Sequence, residues 1–268
     1  MNPVLEIEHL SFQYRENIIL QDISFNVSKG EFVTVIGPNG CGKTTLINII
    51  SKINRPGKGR IRLYGRDINP MLRRKMARQV AIVMQTTDPV AMTVEDYVLL
   101  GRLPFFKKYQ FFENRHDIDI AKKYMEMTGV IKLAKSKIHE ISGGERQLAS
   151  IARALAQEPS LLVMDEPTSH LDITRQARIL ELIRRLRQEL SLTVLMVLHD
   201  LNLAGEYSDR LVLLNKENGR IFKAGTPEEV LTEQSILDVY HTRVMVLPNP
   251  VSNKPLIFLA SQDAMDSK

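Results

Sequence analysis

One glycine-rich stretch constrains this chain more than any other: Gly37-Pro38-Asn39-Gly40-Cys41-Gly42-Lys43-Thr44-Thr45. An apolar run typical of a buried strand precedes it, and residues 46–53, whose apolar side chains recur at helical spacing, follow it. The pattern G-x-x-x-x-G-K-[ST] between a strand and a helix predicts a loop that binds phosphate groups. In such a loop, backbone N–H groups and the positive end of the helix surround a polyphosphate. A chance glycine-rich turn is the alternative, and the flanking elements argue against it.

The same pattern gives two side chains a specific task. Lys43 is expected to reach the terminal phosphates of a nucleotide, and Thr44 is expected to ligate Mg²⁺. The remaining loop residues are expected to contact the nucleotide mainly through their backbone, because glycine allows close approach. The sequence therefore predicts a nucleotide site that uses ATP with Mg²⁺.

Composition limits the class of protein without naming it. With 268 residues, of which 44% are hydrophobic, the chain is long enough for one large domain or two small ones. The net charge of +5 suits an anionic ligand or the surroundings of a membrane, and it does not demonstrate nucleic-acid binding. A single cysteine excludes an internal disulfide and fits a reducing compartment. We recognise no secretion signal and no apolar stretch approaching the roughly 20 residues of a membrane span.

Periodicity predicts an α/β fold with two additions. Residues 3–35 are predicted to be antiparallel strands, with residues 59–66 as a further arm. Residues 86–159 are predicted to be a helical insertion, in which Gly101 and Gly129 end helices. Strands and helices then alternate: strand 161–164, helix 173–190, strand 193–198, helix 201–206, strand 211–214 and a tail hairpin from 243–247 and 256–259. We therefore expect a core of residues 1–85 and 160–268 and a helical subdomain of residues 86–159.

Three further strands end in side chains that suit phosphate chemistry, at the sheet edge where ligands of α/β proteins collect. Residues 80–84 lead to Gln85, whose amide is able to bind Mg²⁺ or the attacking water. Residues 161–164 lead to Asp165, a Walker-B type Mg²⁺ ligand, and to Glu166, a candidate general base. Two acids that merely begin a loop are the alternative. The fourth strand ends at His199, expected to contact the γ-phosphate, although a single histidine is more often structural.

A second helix begins in a serine and two glycines, within the predicted helical insertion. Ser142-Gly143-Gly144-Glu145 has the composition of an anion-binding helix start. On its own, the segment is better explained as an ordinary helix cap with an acidic first turn.

The order of these motifs resembles the ATPase subunit of ABC (ATP-binding cassette) transporters over nearly the whole chain. The resemblance rests on the phosphate loop, Gln85, the Ser142–Glu145 segment, the Asp165-Glu166 pair, the Ser169-His170-Leu171-Asp172 loop and His199. It implies a P-loop NTPase core with an antiparallel β subdomain and an inserted α-helical subdomain. It also implies an ATPase that works as a head-to-tail dimer of two copies, with each ATP between the phosphate loop of one copy and the Ser142–Gly144 segment of the other.

The resemblance also assigns partners and three further residues. Tyr14 would stack on the adenine, Asp172 would communicate between the two sites, and His170 would line the site through its loop. Gln85 and the helical subdomain would meet a separate transmembrane permease on the cytoplasmic face of the membrane, and a substrate-binding protein would act indirectly. Residues 101–104, 168–172 and 199–204 resemble importers of iron-siderophores, haem and cobalamin.

Some positions depart from the family pattern. Leu148 stands where arginine is more usual, and Cys41 predicts that a bulky thiol reagent blocks ATP binding.

Import of another substrate, such as an oxyanion, is one alternative function, and a regulatory or exporter subunit is another. A soluble ABC-type ATPase that acts on DNA or ribosomes is a further alternative, because residues 105–112 interleave aromatic side chains with lysines, as single-strand nucleic-acid binders do. Relatives that work on DNA carry long coiled coils or zinc-binding cysteines, and relatives that work on ribosomes carry two cassettes. This chain has none of these features, so we expect no nucleic-acid partner.

Overall fold

The computed structural model describes residues 3–85, 90–110, 112–169 and 171–259. These residues divide into two compact units, one within Met1–Asn69 and Leu195–Lys268 and the other within Pro70–Val194. Across the described residues, none of the helices combines the length and apolar character that a bilayer crossing needs.

The elements follow one another in the alternation that the sequence predicts. The strands are β1 (Pro3–Tyr14), β2 (Asn17–Ser28), β3 (Phe32–Ile36), β4 (Lys58–Leu63), β5 (Arg66–Asp67), β6 (Val80–Val83), β7 (Leu161–Asp165), β8 (Thr193–Val197), β9 (Arg210–Leu214), β10 (Ile221–Gly225), β11 (Val244–Pro248) and β12 (Pro255–Leu259). The helices are α1 (Lys43–Ile50), α2 (Arg73–Ala77), α3 (Val94–Leu99), α4 (Arg115–Thr128), α5 (Gly143–Leu155), α6 (Ile173–Leu190), α7 (Leu201–Tyr207), α8 (Pro227–Val230) and α9 (Glu233–Tyr240).

The first unit contains an antiparallel sheet in the order β2-β1-β4-β5. Leu5 on β1 pairs with Val27 on β2 and with Leu63 on β4, and all three side chains are buried. Alternate residues of β1 and β2 therefore form one apolar face, as the period of two predicts. The predicted antiparallel strands are confirmed within residues 3–28, and so is the arm at residues 59–66. Residues 32–35 were predicted to be antiparallel as well, but they lie in β3, which pairs in parallel.

A largely parallel sheet of the first unit carries the phosphate loop. Its strands lie in the order β10-β9-β3-β8, and β3 runs parallel to β9 with Ile36 opposite Leu213. All five residues of β3 are buried, which is typical of a parallel strand covered on both faces. β11 and β12 pair as the hairpin that the sequence predicts for the tail.

The second unit contains β6 and β7 as parallel neighbours, and the boundary between the units falls within β8. Helices α3, α4 and α5 of this unit pack against one another, and α5 buries most of its length. A run of helices between β6 and β7 agrees with the predicted insertion. The subdomain boundaries at residues 85 and 160 stay a prediction.

Two glycines that were predicted to end helices behave differently. Gly129 lies at the C-terminus of α4 with a left-handed backbone, φ 82°, as predicted. The prediction for Gly101 is wrong, because α3 ends at Leu99 and Gly101 lies inside the 3₁₀ turn that follows, Leu100–Phe105. A Cβ atom on Gly101 would lie 2.2 Å from the carbonyl oxygen of Arg153, so this glycine permits close packing against α5.

A buried charged side chain, Arg102, holds that 3₁₀ turn in place. The Arg102 side chain is 3% exposed and donates to Asp117 Oδ1 (3.1 Å), to the Ala156 carbonyl (2.7 Å) and to Glu158 Oε2 (2.9 Å). Its guanidinium also lies 4.1 Å from the centre of the Phe105 ring. Arg102 therefore links the 3₁₀ turn to the start of α4 and the end of α5.

Candidate functional site: a phosphate loop and a carboxylate-bearing sheet edge

The backbone of the phosphate loop is shaped by three glycines with positive φ. Gly37, Gly40 and Gly42 have φ of 151°, 80° and 99°, which L side chains rarely adopt. A Cβ on Gly37 would lie 2.7 Å from the Leu214 carbonyl oxygen, and one on Gly42 would lie 2.7 Å from Leu20 Cδ2. The loop therefore needs glycine at all three positions for its torsion angles, and at Gly37 and Gly42 for their close neighbours as well.

The helix behind the loop presents an uncapped N-terminus. Gly42 is the N-cap residue of α1, with no side-chain cap, and no acidic residue lies in the first turn. Helix geometry leaves the first N–H groups without intrahelical partners, and the helix dipole favours an anion there. Thr44 is exposed in this turn, while Thr45 is half-buried. These features suit a phosphate group.

Lys43 is preorganised by the loop that it follows. Its side chain is buried, and Nζ donates to the carbonyl oxygens of Gly37 (2.8 Å) and Pro38 (3.0 Å). A lysine held in this way keeps its ammonium group inside the loop. Asn39 and Gly40 form the exposed tip of the loop.

Cys41 is less accessible than the sequence suggests. Only 1% of the residue is exposed, and burial raises the pKa of the thiol, against the opposing effect of the Lys43 charge. Because the thiolate is the reactive form, a buried thiol with a raised pKa reacts slowly.

Two residues near the loop were not predicted. Lys216, just after β9, places its Cε 3.7 Å from where a Cβ on Gly40 would lie. Tyr240, at the end of α9, lies near the Gly37 backbone, and burial raises the pKa of its hydroxyl above the usual range. No sequence pattern distinguishes either residue, since both become neighbours of the loop only through the fold.

Tyr14 ends β1 with about half of its surface exposed. Its hydroxyl accepts a hydrogen bond from Asn54 Nδ2 at 2.8 Å, and its ring meets the Phe12 ring edge-on at 4.8 Å between centroids. The ring is thus fixed at both ends while one side stays open, which suits stacking on a planar ligand.

His199 lies two residues after the end of β8 and is exposed. The next residue, Asp200, is the N-cap of α7 and accepts from the Leu203 N–H at 2.9 Å. The structure thus places the imidazole at the strand end, where the sequence predicts it, and gives Asp200 a capping role.

In the second unit, strand register brings together two of the predicted residues. Val83 lies opposite Met164 in the parallel β6–β7 pair, so Gln85 and Glu166, each two residues further on, lie opposite each other as well. Gln85 Nε2 donates to Glu166 Oε2 at 2.8 Å. Glu166 has φ +48°, an uncommon left-handed backbone for a residue other than glycine. Strained backbone of this kind concentrates at functional sites.

Asp165 precedes Glu166 and is almost fully buried, with 1% of the residue exposed. Across the described residues, no group of three or more His, Cys, Asp or Glu side chains is arranged to hold a metal ion. Mg²⁺ is usually bound by one or two protein ligands together with substrate phosphates and water. Within the second unit, the Gln85 amide and the Asp165 carboxylate supply oxygen ligands of the kind that Mg²⁺ accepts.

The second glycine-containing helix start is a complete capping box. Ser142 Oγ accepts from the Glu145 N–H, and Glu145 Oε2 accepts from the Ser142 N–H at 2.8 Å. These hydrogen bonds to Ser142 lower the pKa of the Glu145 carboxyl. Gly143 is exposed, and a Cβ on Gly144 would lie 3.2 Å from Arg175 Cδ of α6. Ser142 and Glu145 therefore form an ordinary helix cap, as one of the two interpretations predicts. The exposed face of the turn at Gly143 is still open to a ligand.

Asp172 also caps a helix. It is the N-cap of α6, where Oδ1 accepts from the Arg175 N–H at 3.0 Å and Oδ2 lies 3.3 Å from Arg175 Nε. His170 lies outside the described residues. Leu148, where arginine is more usual, is buried in α5.

Comparison with known proteins agrees with these features. The family model described as "ABC transporter" matches residues 20–169, more than half of the chain. The iron(3+)-hydroxamate import ATP-binding protein FhuC of Bacillus subtilis (strain 168) is 38% identical over 94% of this chain and 93% of its own length. The ferric enterobactin transport ATP-binding protein FepC of Escherichia coli (strain K12) is 36% identical over 93% of this chain and 92% of its own length.

Solved structures give the same result. A putative metal-chelate type ABC transporter in an inward-facing conformation superimposes with a TM-score of 0.85 at 31% identity, covering 98% of this chain and 100% of that one. The ADP conformation of MJ1267, an ATP-binding cassette of an ABC transporter, superimposes with a TM-score of 0.80 at 28% identity over 90% of this chain and 99% of that chain. The chain therefore belongs to the ABC transporter family, as one of its ATP-hydrolysing subunits.

Proposed function

We propose that this chain drives the import of an iron-siderophore or a related metal chelate through a separate membrane permease. The relatives named for iron(3+)-hydroxamate and ferric enterobactin support this substrate class, because the similarity extends over nearly the whole of each chain. The petrobactin import ATP-binding protein FpuD of Bacillus anthracis, 35% identical over 96% of this chain and 93% of its own length, gives further support. Haem and cobalamin remain within the proposed class.

The phosphate loop binds the ATP phosphates. The observation that carries the assignment of ATP binding to this loop is an uncapped helix N-terminus behind three positive-φ glycines, with the Lys43 ammonium held inside the loop. Backbone N–H groups and Lys43 bind the β- and γ-phosphates, and the Thr44 hydroxyl oxygen would be a ligand of Mg²⁺. The open side of the Tyr14 ring stacks on adenine.

Glu166 accepts the proton of the attacking water, and Gln85 holds both that carboxylate and the water in position. The 2.8 Å hydrogen bond between the two side chains supports this pairing. Asp165 and Gln85 would complete the protein ligands of Mg²⁺, and the ion would supply positive charge against the charge on the phosphates. His199 binds the γ-phosphate by hydrogen bonding.

A second copy of the chain completes each site. Its Ser142, Gly143 and Gly144 face the bound ATP, with Glu145 supporting the turn, and its Asp172 transmits the state of one site to the other. The permease, a substrate-binding protein acting through it, and a position on the cytoplasmic face of the membrane complete the assembly. Because ATP then bridges two copies, ATP binding closes the dimer and hydrolysis opens it.

The test of this proposal is ATP turnover in matched variants. Glu166→Gln should reduce turnover at least 100-fold while ATP binding persists, since general-base catalysis contributes on the order of 10²–10⁴-fold. Glu181→Gln, an equal change at an exposed glutamate on α6, is the control and should leave turnover unchanged. Near-normal turnover in Glu166→Gln would refute the assignment of the base.

The substrate class needs a transport assay. The chain would be reconstituted in vesicles with its permease and binding protein, and ATP-dependent uptake of a ferric hydroxamate, haem, cobalamin and an oxyanion would be compared. Uptake of a metal chelate supports the proposal, and uptake of the oxyanion alone overturns it.

A further inference from the structure

Two segments of the second unit form one strongly basic surface. The first includes α2, and the second follows the Arg102 turn. We call this the basic–aromatic surface and define its charged part by Arg73, Arg74, Lys75, Arg78, Lys107 and Lys108, all of which are exposed. Arg74 Nε and Arg78 Nε both donate to the Pro104 carbonyl, at 2.9 Å and 2.8 Å. The two segments are therefore held side by side.

The charge of this surface is unbalanced. Residues 71–78 and 102–112 contain seven lysines and arginines and no acidic residue. Their seven positive charges exceed the net charge of the whole chain, which is +5. Across the described residues, none of the six exposed cations of the surface makes an ion pair, whereas Arg102 is buried in its own cluster. The surface is thus a site of uncompensated positive charge.

Large apolar side chains project between these cations. Leu72, Tyr109 and Phe112 are 76%, 78% and 81% exposed. By contrast, Phe105 lies between the guanidinium groups of Arg78 and Arg102, at 5.1 Å and 4.1 Å, so it supports the surface from within. Among the described residues of the aromatic stretch, Phe105 is thus an inner ring, whereas Tyr109 and Phe112 are outer rings that are mostly exposed.

Gln110 hydrogen-bonds the backbone beside both outer rings. Its Oε1 accepts from the Lys107 N–H at 2.9 Å, and its Nε2 donates to the Phe112 carbonyl at 3.0 Å. These two hydrogen bonds restrain the backbone at Lys107 and at Phe112.

We propose that the basic–aromatic surface binds the anionic phospholipid headgroups of a membrane directly. Exposed aromatic rings among lysines and arginines are suited to the membrane–water interface, where the ring enters the headgroup layer and the cation binds lipid phosphate. Single-strand binders stack successive bases on aromatic rings, while the Tyr109 ring has the Lys108 ammonium over it, at 5.1 Å from its centre. This contact goes beyond the proposed transport function and does not depend on ATP or on the transported substrate.

Vesicle sedimentation of the full chain tests the proposal. Binding to vesicles of phosphatidylglycerol and phosphatidylcholine at a 1:3 ratio, chosen as about the anionic content of a natural membrane, is compared with binding to phosphatidylcholine alone. We expect binding to the anionic vesicles only, weakening as salt shortens the Debye length. Lys107→Gln/Lys108→Gln should weaken it about 25-fold, at about fivefold for each charge removed. Lys122→Gln/Lys123→Gln, an equal change on α4, is the matched control and should bind like the unmodified chain.

A second variant separates the apolar contribution. Tyr109→Ser/Phe112→Ser should weaken binding to the anionic vesicles while leaving its salt dependence unchanged, because no charge is lost. No binding to the anionic vesicles at low salt overturns the proposal, as do equal losses in the two lysine variants. Tighter binding to a single-stranded oligonucleotide than to the vesicles at the same salt also overturns it. ATP turnover measured on the same samples reports on the transport function separately.

Discussion

Replacing Arg102 by methionine tests the buried charge cluster that positions the turn before the basic–aromatic surface. Methionine keeps much of the apolar stem and removes the guanidinium, which leaves Asp117, 4% exposed, without its cationic partner. Removing one member of a buried ion pair costs about 3–5 kcal/mol, because the other charge remains desolvated and uncompensated. The free energy of unfolding of the unit should fall by that amount.

The measurement is urea denaturation followed by far-UV circular dichroism, since the chain has no tryptophan to report by fluorescence. The control is Arg184→Met, because the Arg184–Glu181 pair at 3.5 Å is about half exposed on both sides and such pairs contribute about 0–1 kcal/mol. The double variant Arg102→Met/Asp117→Asn should lose less than the two single changes added together, because it leaves no buried charge. A loss below about 1 kcal/mol for Arg102→Met would contradict the reasoning.

Three further predictions concern two glycine substitutions and the reactivity of the Cys41 thiol. Gly42→Ala should weaken ATP binding at least tenfold, because a positive φ costs about 1–3 kcal/mol and the new methyl group meets Leu20; titration of a fluorescent ATP analogue would report it, and unchanged affinity would count against the loop geometry. Gly101→Ala should destabilise the fold by about 1–3 kcal/mol, measured by urea denaturation, because its Cβ meets the Arg153 carbonyl; a neutral effect would mean that the helix contact is loose. Cys41 should react slowly with a bulky thiol reagent at neutral pH and faster as the pH rises past the ordinary thiol pKa, since burial raises its pKa and keeps the thiol protonated; rapid labelling at pH 7, equal to that of the unfolded chain, would contradict its burial.

Much of this architecture was predictable because local chemistry and fold agree. The buried strand before Gly37, the alternation in β1 and β2, and the capping box that starts α8 at Thr226 all carry strong local signals. β10 was missed because it is an edge strand with no buried residue, so its apolar side chains show no period of two. Gly101 was misinterpreted because a glycine required for helix packing and a glycine that ends a helix look alike in a sequence.

The candidate site shows the same limit. Gln85 and Glu166 could be paired in advance because each follows a strand that a β-α-β pattern places in one parallel sheet. Lys216, Asn54 and Tyr240 could not, because each reaches its neighbour from a distant part of the chain and is an ordinary residue type in its local context. Long-range contacts of single polar side chains leave no periodic signal.

The central claim is that ATP joins two copies of this chain, because each copy supplies only part of each site. The most direct measurement is sedimentation velocity of Glu166→Gln with and without MgATP. The claim predicts a monomer without nucleotide, a dimer with MgATP, and a monomer again when Ser142→Arg is added to the same variant while ATP binding persists. A Glu166→Gln chain that binds ATP and stays monomeric would contradict the claim.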